Sequence, residues 1–204
     1  MDYKKYNTEK YNTFAEQFHQ RFEEGFTKDI RQFADLFLEK LQGKESPGKK
    51  DKKILDLGSG SGTYAKYFQQ KGHDVLCVDI SKKMVERCQS RGLKARVMDI
   101  EHLDLPEKSF DGIWANASLL HVSEQHMPAV VQHIRRILKP GGILAVAVKE
   151  GKGESFEQNE FQRFFYYYTD QQIRAFFSDF SIFFFSREKN YYGDVFLDYI
   201  FQLK

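Results

Sequence analysis

Two hydrophobic patterns divide the chain. Between Tyr11 and Leu41, phenylalanine, isoleucine and leucine recur at three- and four-residue steps, which predicts helices, and Gly25 is expected to separate two of them. Beyond residue 53, short apolar runs alternate with amphipathic stretches. This alternation predicts a largely parallel β-sheet with helices on both faces.

The alternating region is expected to contain five strands and three helices. The predicted strands are Ile54–Leu57, Asp74–Val78, Ala95–Met98, Phe110–Ala115 and Ile143–Val148. The predicted helices are Thr63–Lys71, Lys82–Arg91 and Ser123–Leu138. Ser81 has the right chemistry to cap the second helix, and the Pro-Gly-Gly sequence after Lys139 is expected to stop the third.

The C-terminal third has a different pattern. Thr169–Asp179 predicts a helix with a threonine cap. Phe180–Phe185 and Tyr192–Phe201 predict two strands around a polar turn. A hairpin there would close the sheet with an antiparallel strand.

A linker separates the two patterns. The segment Gln42–Lys53 contains glycines, a proline and a run of lysines, which is typical of an exposed connection. We therefore expect residues 1–52 to form an N-terminal helical cap and linker, and residues 53–204 to form the main domain. Together they should make one compact unit, because 204 residues suit a single domain.

Composition narrows the possible partners. A net charge of +2 does not require the clustered basic face of a nucleic-acid-binding protein. The longest aliphatic run is too short to span a bilayer, and the N-terminus lacks the apolar core of a signal peptide, so we expect no membrane partner. Cys77 and Cys88 match no metal or redox spacing, so no metal site is expected and a cytoplasmic location is favoured.

The most specific pattern follows the first predicted strand. Residues 56–62 read Asp-Leu-Gly-Ser-Gly-Ser-Gly, which places a strand end against a helix start with bare backbone between them. The dinucleotide fingerprint G-x-G-x-x-G would need a third glycine where Thr63 stands. Thr63 is instead expected to cap the helix.

This loop resembles the cofactor loop of class I S-adenosylmethionine-dependent methyltransferases. Asp79, Asp99 and Asn116 then follow at or just beyond the ends of the next predicted strands, and the C-terminal hairpin also matches, so the resemblance extends from Lys53 to the C-terminus. It implies a Rossmann-like, mainly parallel seven-stranded sheet with an antiparallel C-terminal strand. S-adenosylmethionine is the implied cofactor.

The resemblance also implies a role for individual residues in holding the cofactor. Asp56 would help to hold the ammonium end, and Asp79 would accept hydrogen bonds from the ribose hydroxyls. The remaining implied contacts are Gly58, Ser59 and Gly60 with the homocysteine portion, Ile80, Met84, Asp99 and Ile100 with the adenine, and Asn116 near the sulfonium. Three alternatives stay open: Asp56 as a turn-stabilising carboxylate, Ile80 and Met84 as core residues, and Asp99 as an exposed loop acid.

The N-terminal sequence Tyr11-Asn12-x-x-Ala15-x-x-Phe18 resembles the Tyr-Asp-x-x-Ala-x-x-Tyr opening of small-molecule methyltransferases. The resemblance implies that Tyr11 lies near the sulfonium, on a helix that folds over the cofactor. Asn12 and Phe18 depart from the pattern. A plain amphipathic lid helix explains the same residues.

The sequence says less about the methyl acceptor than about the cofactor. The Asn/Asp-Pro-Pro-Tyr/Phe motif of base amino-methyltransferases is absent, and Asn116 alone matches it, so a nucleic-acid acceptor is disfavoured. His121 and Glu150 are candidate general bases, although His121 could equally be a packed histidine. Residues Tyr166–Tyr168 could line an acceptor pocket or belong to the core.

We therefore expect a methyltransferase acting on a small-molecule oxygen, nitrogen or sulfur acceptor. The alternatives are a catalytically silent S-adenosylmethionine-binding module and a nicotinamide-dependent oxidoreductase.

Overall fold

The computed structural model describes residues 1–26, 28–43, 51–190 and 193–204. Its helices are α1 (Tyr3–Thr13), α2 (Ala15–Glu24), α3 (Lys28–Gln42), α4 (Thr63–Gln70), α5 (Lys82–Ser90), α6 (Met127–Ile137) and α7 (Asp170–Phe176). Its strands are β1 (Lys53–Leu57), β2 (Asp74–Asp79), β3 (Lys94–Val97), β4 (Phe110–Asn116), β5 (Leu138–Lys149), β6 (Glu154–Phe156), β7 (Phe164–Tyr166), β8 (Phe180–Lys189) and β9 (Val195–Leu203).

Seven of these strands form one sheet in the order β3-β2-β1-β4-β5-β9-β8. The pairs among β1 to β5 are parallel, and β9 runs antiparallel to both of its neighbours. The predicted fold class is confirmed. Strands β6 and β7 pair in a small separate hairpin, which the sequence analysis did not predict.

The two faces of the sheet bury separate apolar clusters. On one face α6 and α7 supply Val130, Ile134 and Ile173. On the other face α3 and α4 pack Phe37 and Phe68 around Trp114, which is fully buried. Because both faces are covered, the carboxyl ends of the parallel strands are where a ligand can approach.

Several predicted boundaries move. Helix α6 begins at Met127 rather than Ser123, because Pro128 fits the first turn of a helix and a separate 3₁₀ turn, Leu119–His121, comes before it. Strand β5 begins already at Leu138 and includes the Pro-Gly-Gly sequence. Thr169 caps α7 as predicted, in a capping box with Gln172.

The N-terminal region forms three helices. The first begins at Tyr3, ahead of the predicted pattern, and Gly25 ends α2 as expected. Most of the predicted linker (residues 44–50) and the predicted strand start at Tyr192 lie outside the described residues. Within the described ranges, no helix combines the length and the apolar character needed to cross a membrane.

Candidate cofactor site

The glycine loop joins β1 to α4 above the end of β2. Gly58 and Gly60 have φ of +73° and +53°, in the left-handed region that favours glycine. The N–H groups of Gly58 and Ser59 both donate to the carbonyl of Val78, at 2.8 and 3.0 Å. A Cβ at Gly58 would overlap the side chain of Ser118, so the loop and the segment after β4 touch here.

The carboxylate of Asp79 is hydrogen-bonded to the backbone of the loop. Its Oδ2 accepts from the N–H of Gly60 at 2.9 Å, and its Oδ1 accepts from the N–H of Ser81 at 2.8 Å. Burial raises the pKa of this carboxyl, and the two N–H donors oppose that rise. Each carboxylate oxygen has a further lone pair, so Asp79 can still accept from a ligand.

Asp56 is only 3% exposed. The backbone N–H of Ala65 bonds to its carboxylate, which agrees with the turn-stabilising alternative, but its Oδ2 has no partner among the described residues. The buried Oγ of Ser118 also has no partner there. Burial, and then the charge of Asp79, raise the pKa of Asp56 to about 8. Unpaired buried polar atoms beside the loop are what a polar ligand would satisfy.

The predicted adenine contacts differ in their surroundings. Met84 is fully buried against Phe18 and Phe161, so it belongs to a small core. Ile100 packs against the main core, whereas Ile80 is half-buried. Their predicted contacts with adenine stay predictions.

Helices α1 and α2 cover this part of the structure. Lys4 pairs with Asp99 at 2.9 Å. The side chain of Asn12 accepts from the hydroxyl of Ser81 at 2.8 Å. A Cβ at Gly60 would lie 3.4 Å from the ring of Phe22. The N-terminal helices therefore act as a lid on the strand ends.

The predicted cap at Thr63 is wrong. Gly62 occupies the N-cap position of α4 and makes no side-chain cap bond. The hydroxyl of Thr63 instead donates to Glu23 of α2 at 2.7 Å, because α2 passes directly over the start of this helix.

Tyr11 and His121 meet under the lid. The hydroxyl of Tyr11 lies 2.8 Å from Nε2 of His121. Nδ1 of His121 lies 3.1 Å from the amide nitrogen of Asn7 and 3.2 Å from the carbonyl of Phe164. Asn7 also bonds to both backbone groups of Phe164, at 2.8 Å each. The structure thus brings together two residues that the sequence analysis singled out separately.

Arg163 and Glu157 complete this arrangement, and sequence reasoning missed both. Nε and Nη2 of Arg163 donate to the two carboxylate oxygens of Glu157 at 2.8 and 2.7 Å, and Nη1 donates to the hydroxyl of Tyr11 at 3.1 Å. The only signal in the sequence was a pair of opposite charges six residues apart beside an aromatic run. Asn7, Tyr11, His121, Glu157 and Arg163 are called the polar cluster below.

Other predicted residues lie outside the polar cluster. Glu150 pairs with Arg187 of β8 at 2.8 Å, so its role as a base stays a prediction. Asn116 ends β4, and its side chain bonds to Tyr64. Tyr168 is buried, and its hydroxyl donates to the carbonyl of Val122, which places this tyrosine in the core.

The middle of the chain matches a known protein family. Residues 55–146 match the model of a family described as a methyltransferase domain. This stretch of the chain is therefore similar to methyltransferase domains. The predicted resemblance and the predicted enzyme class are confirmed for this stretch.

This chain is similar to curated methyltransferases whose names state different acceptors. It is 32% identical over 117 residues to a malonyl-[acyl-carrier protein] O-methyltransferase of Pseudescherichia vulneris, covering 56% of this chain and 44% of the relative. It is 39% identical over 99 residues to a sarcosine/dimethylglycine N-methyltransferase of Aphanothece halophytica, covering 44% and 35%. The chain therefore matches less than half the length of these relatives.

A solved structure extends the likeness to the whole chain. The 1,6-didemethyltoxoflavin-N1-methyltransferase of Burkholderia thailandensis, solved with 1,6-didemethyltoxoflavin and S-adenosylhomocysteine, aligns with a TM-score of 0.75. The alignment covers 100% of this chain and 91% of that chain at 19% identity. At this identity the likeness shows the fold.

Proposed function

We propose that this methyltransferase moves a methyl group from S-adenosylmethionine to a small-molecule oxygen, nitrogen or sulfur acceptor. The observation that supports it most directly is the glycine loop with two carboxylates beside it, Asp56 with an unpaired buried oxygen and Asp79 bound to the loop backbone. A cofactor with an ammonium end and a ribose diol offers donors to both.

The chain offers a partner for each part of the cofactor. The unpaired oxygen of Asp56 and the hydroxyl of Ser118 would take the amino acid end. Asp79 would accept from the ribose hydroxyls through its remaining lone pairs. The other residues proposed to line the cofactor are Tyr11, Gly58, Ser59, Gly60, Ile80, Met84, Asp99, Ile100 and Asn116.

The backbone of the loop argues against a dinucleotide. A phosphate cradle needs free N–H groups that point at the anion. Here the N–H groups of Gly58 and Ser59 donate to Val78, and that of Gly60 donates to Asp79. The loop therefore suits a cationic ligand better than an anionic one.

Methyl transfer requires that the two reactants are aligned and that water is excluded. When bound, S-adenosylmethionine supplies a methyl group on a sulfonium whose leaving group departs neutral. The protein can lower the barrier by holding the two reactants in line and keeping water out. Phe18 and Phe22 on α2 and Tyr11 on α1 supply apolar cover over the strand ends.

Calorimetric titration tests the proposal. S-adenosylmethionine and S-adenosylhomocysteine should each bind saturably to one site, and NADH should not bind. Mass spectrometry of a small-acceptor panel should then detect a methylated product. Cofactor binding with no product from any acceptor would favour the silent binding module. Binding of NADH without S-adenosylmethionine would overturn the proposal.

A further inference from the structure

The hydroxyl of Tyr11 has more hydrogen-bonding positions than partners. A phenol has one proton to donate and lone pairs on its oxygen that accept. Nη1 of Arg163, 3.1 Å away, can only donate, so it occupies one lone pair. Nε2 of His121, 2.8 Å away, takes either the proton or a second lone pair. No other polar atom of the described residues bonds to this hydroxyl, so the tautomer of His121 decides whether the open position is a donor or an acceptor.

The side chain of Asn7 favours one of the two tautomers. Its orientation is fixed, because its Oδ1 accepts from the N–H of Phe164 and its Nδ2 donates to the carbonyl of Phe164, at 2.8 Å each. Nδ2 of Asn7 lies 3.1 Å from Nδ1 of His121, and an amide nitrogen is a donor only. A proton on Nδ1 would place two donors face to face. It would also leave one N–H of Asn7, a residue that is only 6% exposed, without an acceptor.

A proton on Nε2 of His121 instead gives each of these N–H groups an acceptor. Asn7 then donates to Nδ1, and Nε2 donates to the oxygen of Tyr11. Nδ1 also lies 3.2 Å from the carbonyl of Phe164, but that oxygen already accepts from Asn7. A carbonyl with an unused lone pair is better tolerated than a buried N–H without an acceptor. Burial, and then the charge of Arg163, lower the pKa of His121 to about 3, so the neutral ring has a single proton to place.

The proton of Tyr11 is then left for a ligand. The oxygen of Tyr11 accepts from both Arg163 and His121, and its proton has no acceptor among the described residues. The charge of Asp79, beside the glycine loop, also acts on Tyr11, so the hydroxyl lies within electrostatic range of the proposed cofactor. A sulfonium is a cation and accepts no hydrogen bond. A free donor next to it therefore suits the other reactant.

We propose that Tyr11 donates a hydrogen bond to the methyl acceptor. Arg163 and His121 are positioning residues, because their donors occupy the oxygen of Tyr11 and leave its proton for the acceptor. Asn7 positions His121 in turn. This inference rests on the proposed methyl transfer and narrows its substrate class. The acceptor carries an oxygen or nitrogen with a free lone pair next to the atom that is methylated, as in a thiol, amine or hydroxyl beside a carboxylate or carbonyl group.

The tautomer can be tested without an acceptor. Imidazole ¹⁵N NMR of the full chain, with the His121 signals assigned from the His121→Gln spectrum, should show a neutral ring protonated at Nε2 at about pH 7. Asn7→Asp removes the donor that faces Nδ1 and keeps an oxygen for the N–H of Phe164, so Nδ1 should become protonated. A wild-type ring protonated at Nδ1, alone or together with Nε2, would overturn the proposal.

Two isomeric thiols test the acceptor. 2-Mercaptobenzoate has its carboxylate beside the thiol, and 4-mercaptobenzoate has it across the ring. The wild type should prefer the first isomer. Tyr11→Phe should lower kcat/KM for the first isomer at least about tenfold and for the second about twofold or less. A preference for the second isomer, equal losses on both, or no reaction of the first while acceptors without such a lone pair react would each overturn the proposal.

Binding measurements separate the acceptor from the cofactor. Tyr11→Phe keeps the ring that is proposed to line the cofactor and removes only the hydroxyl, so the Kd of S-adenosylmethionine should not change. A weaker Kd in this variant would assign the proton of Tyr11 to the cofactor and overturn the proposal. Failure of the wild type to bind S-adenosylmethionine would instead count against the proposed function, and the NMR result would still decide the tautomer.

Arg163 provides the positioning test. Arg163→Lys keeps the charge, but a single ammonium group cannot reproduce the two bonds to Glu157 and the third to Tyr11. This variant should lose most of the preference for 2-mercaptobenzoate at an unchanged Kd for S-adenosylmethionine. Arg174→Lys is the matched control, because Arg174 pairs with Asp170 on α7, outside the polar cluster. A wild-type preference in Arg163→Lys would overturn the positioning role of Arg163.

Discussion

The hydroxyl oxygen of Tyr11 and Nε2 of His121 lie 2.8 Å apart, although 110 residues separate them in the sequence. The bond joins α1, at the start of the chain, to the 3₁₀ turn that follows β4. Asn7, one turn earlier on the same helix, bonds to β7. The N-terminal helices are thus attached to the rest of the protein by buried polar contacts, and the lid should be a stable part of the fold.

Replacing Asn7 tests this attachment. Asn7→Ala leaves the buried N–H of Phe164 without its side-chain partner and its carbonyl with His121 alone, which should reduce the free energy of unfolding by about 1–3 kcal/mol. Thr8→Ala on the same helix is the matched control, because among the described residues its hydroxyl bonds only to the carbonyl of Lys4 within the helix. Urea denaturation of both variants checks the prediction. Equal stabilities would mean that α1 is not held by Asn7.

Sequence patterns predicted the features that depend on residues close together in the chain. The strands around Asp56 and Asp79 and the cap at Ser81 follow from residue order and the nearest neighbours in the chain. Arg163 and Glu157 could not be found in this way, because their importance comes from Tyr11, which reaches them from the other end of the chain. The same limit explains the error at Thr63, whose partner Glu23 is 40 residues away.

The requirement for glycine at position 58 of the cofactor loop can be tested by comparison with Gly92. Gly58 and Gly92 have nearly the same φ, +73° and +75°, so alanine should bring similar backbone strain at both, about 1–2 kcal/mol. A Cβ at Gly58 would overlap Ser118, whereas one at Gly92 meets nothing within 4 Å. Gly58→Ala should therefore lose more stability than Gly92→Ala, and it should also weaken binding of S-adenosylmethionine. Thermal melts and calorimetry give the two readouts. Equal losses of stability in the two variants would show that the close approach of Ser118 is not what requires glycine at position 58.

The proposed contact between Asp79 and the ribose can be tested with two substitutions in β2. Asp79→Asn keeps the shape of the side chain, but its amide nitrogen cannot accept from a backbone N–H or from a ribose hydroxyl. Because hydrogen bonds to a charged group are among the stronger ones, their loss in Asp79→Asn should weaken binding of S-adenosylmethionine at least about tenfold. Asp74→Asn at the exposed start of the same strand, where the acid pairs with Lys94, should bind like the wild type. Calorimetry with melting curves for each variant separates binding from folding. Wild-type affinity in Asp79→Asn would contradict the assignment.

The last prediction concerns Asp56 and pH. An aspartate in the unfolded chain has a pKa of about 3.9, whereas burial raises the pKa of Asp56 in the folded protein to about 8. Between these values the folded state binds the extra proton, so stability is fully present at low pH and falls as pH rises through the window. The wild type should lose up to about 1.4 kcal/mol per pH unit relative to Asp56→Asn, and the difference should level off above the folded pKa.

Urea denaturation of the wild type and Asp56→Asn at several pH values measures this slope. Saturating S-adenosylmethionine should flatten it, because a cation beside Asp56 favours the carboxylate and lowers its pKa. Asp35→Asn is a useful control, because that acid lies on α3 and bonds to Tyr67, away from the loop. Parallel stability curves for the wild type and Asp56→Asn would show that Asp56 is ionised in the folded protein. A slope that persists unchanged with bound cofactor would place the cofactor's ammonium group elsewhere.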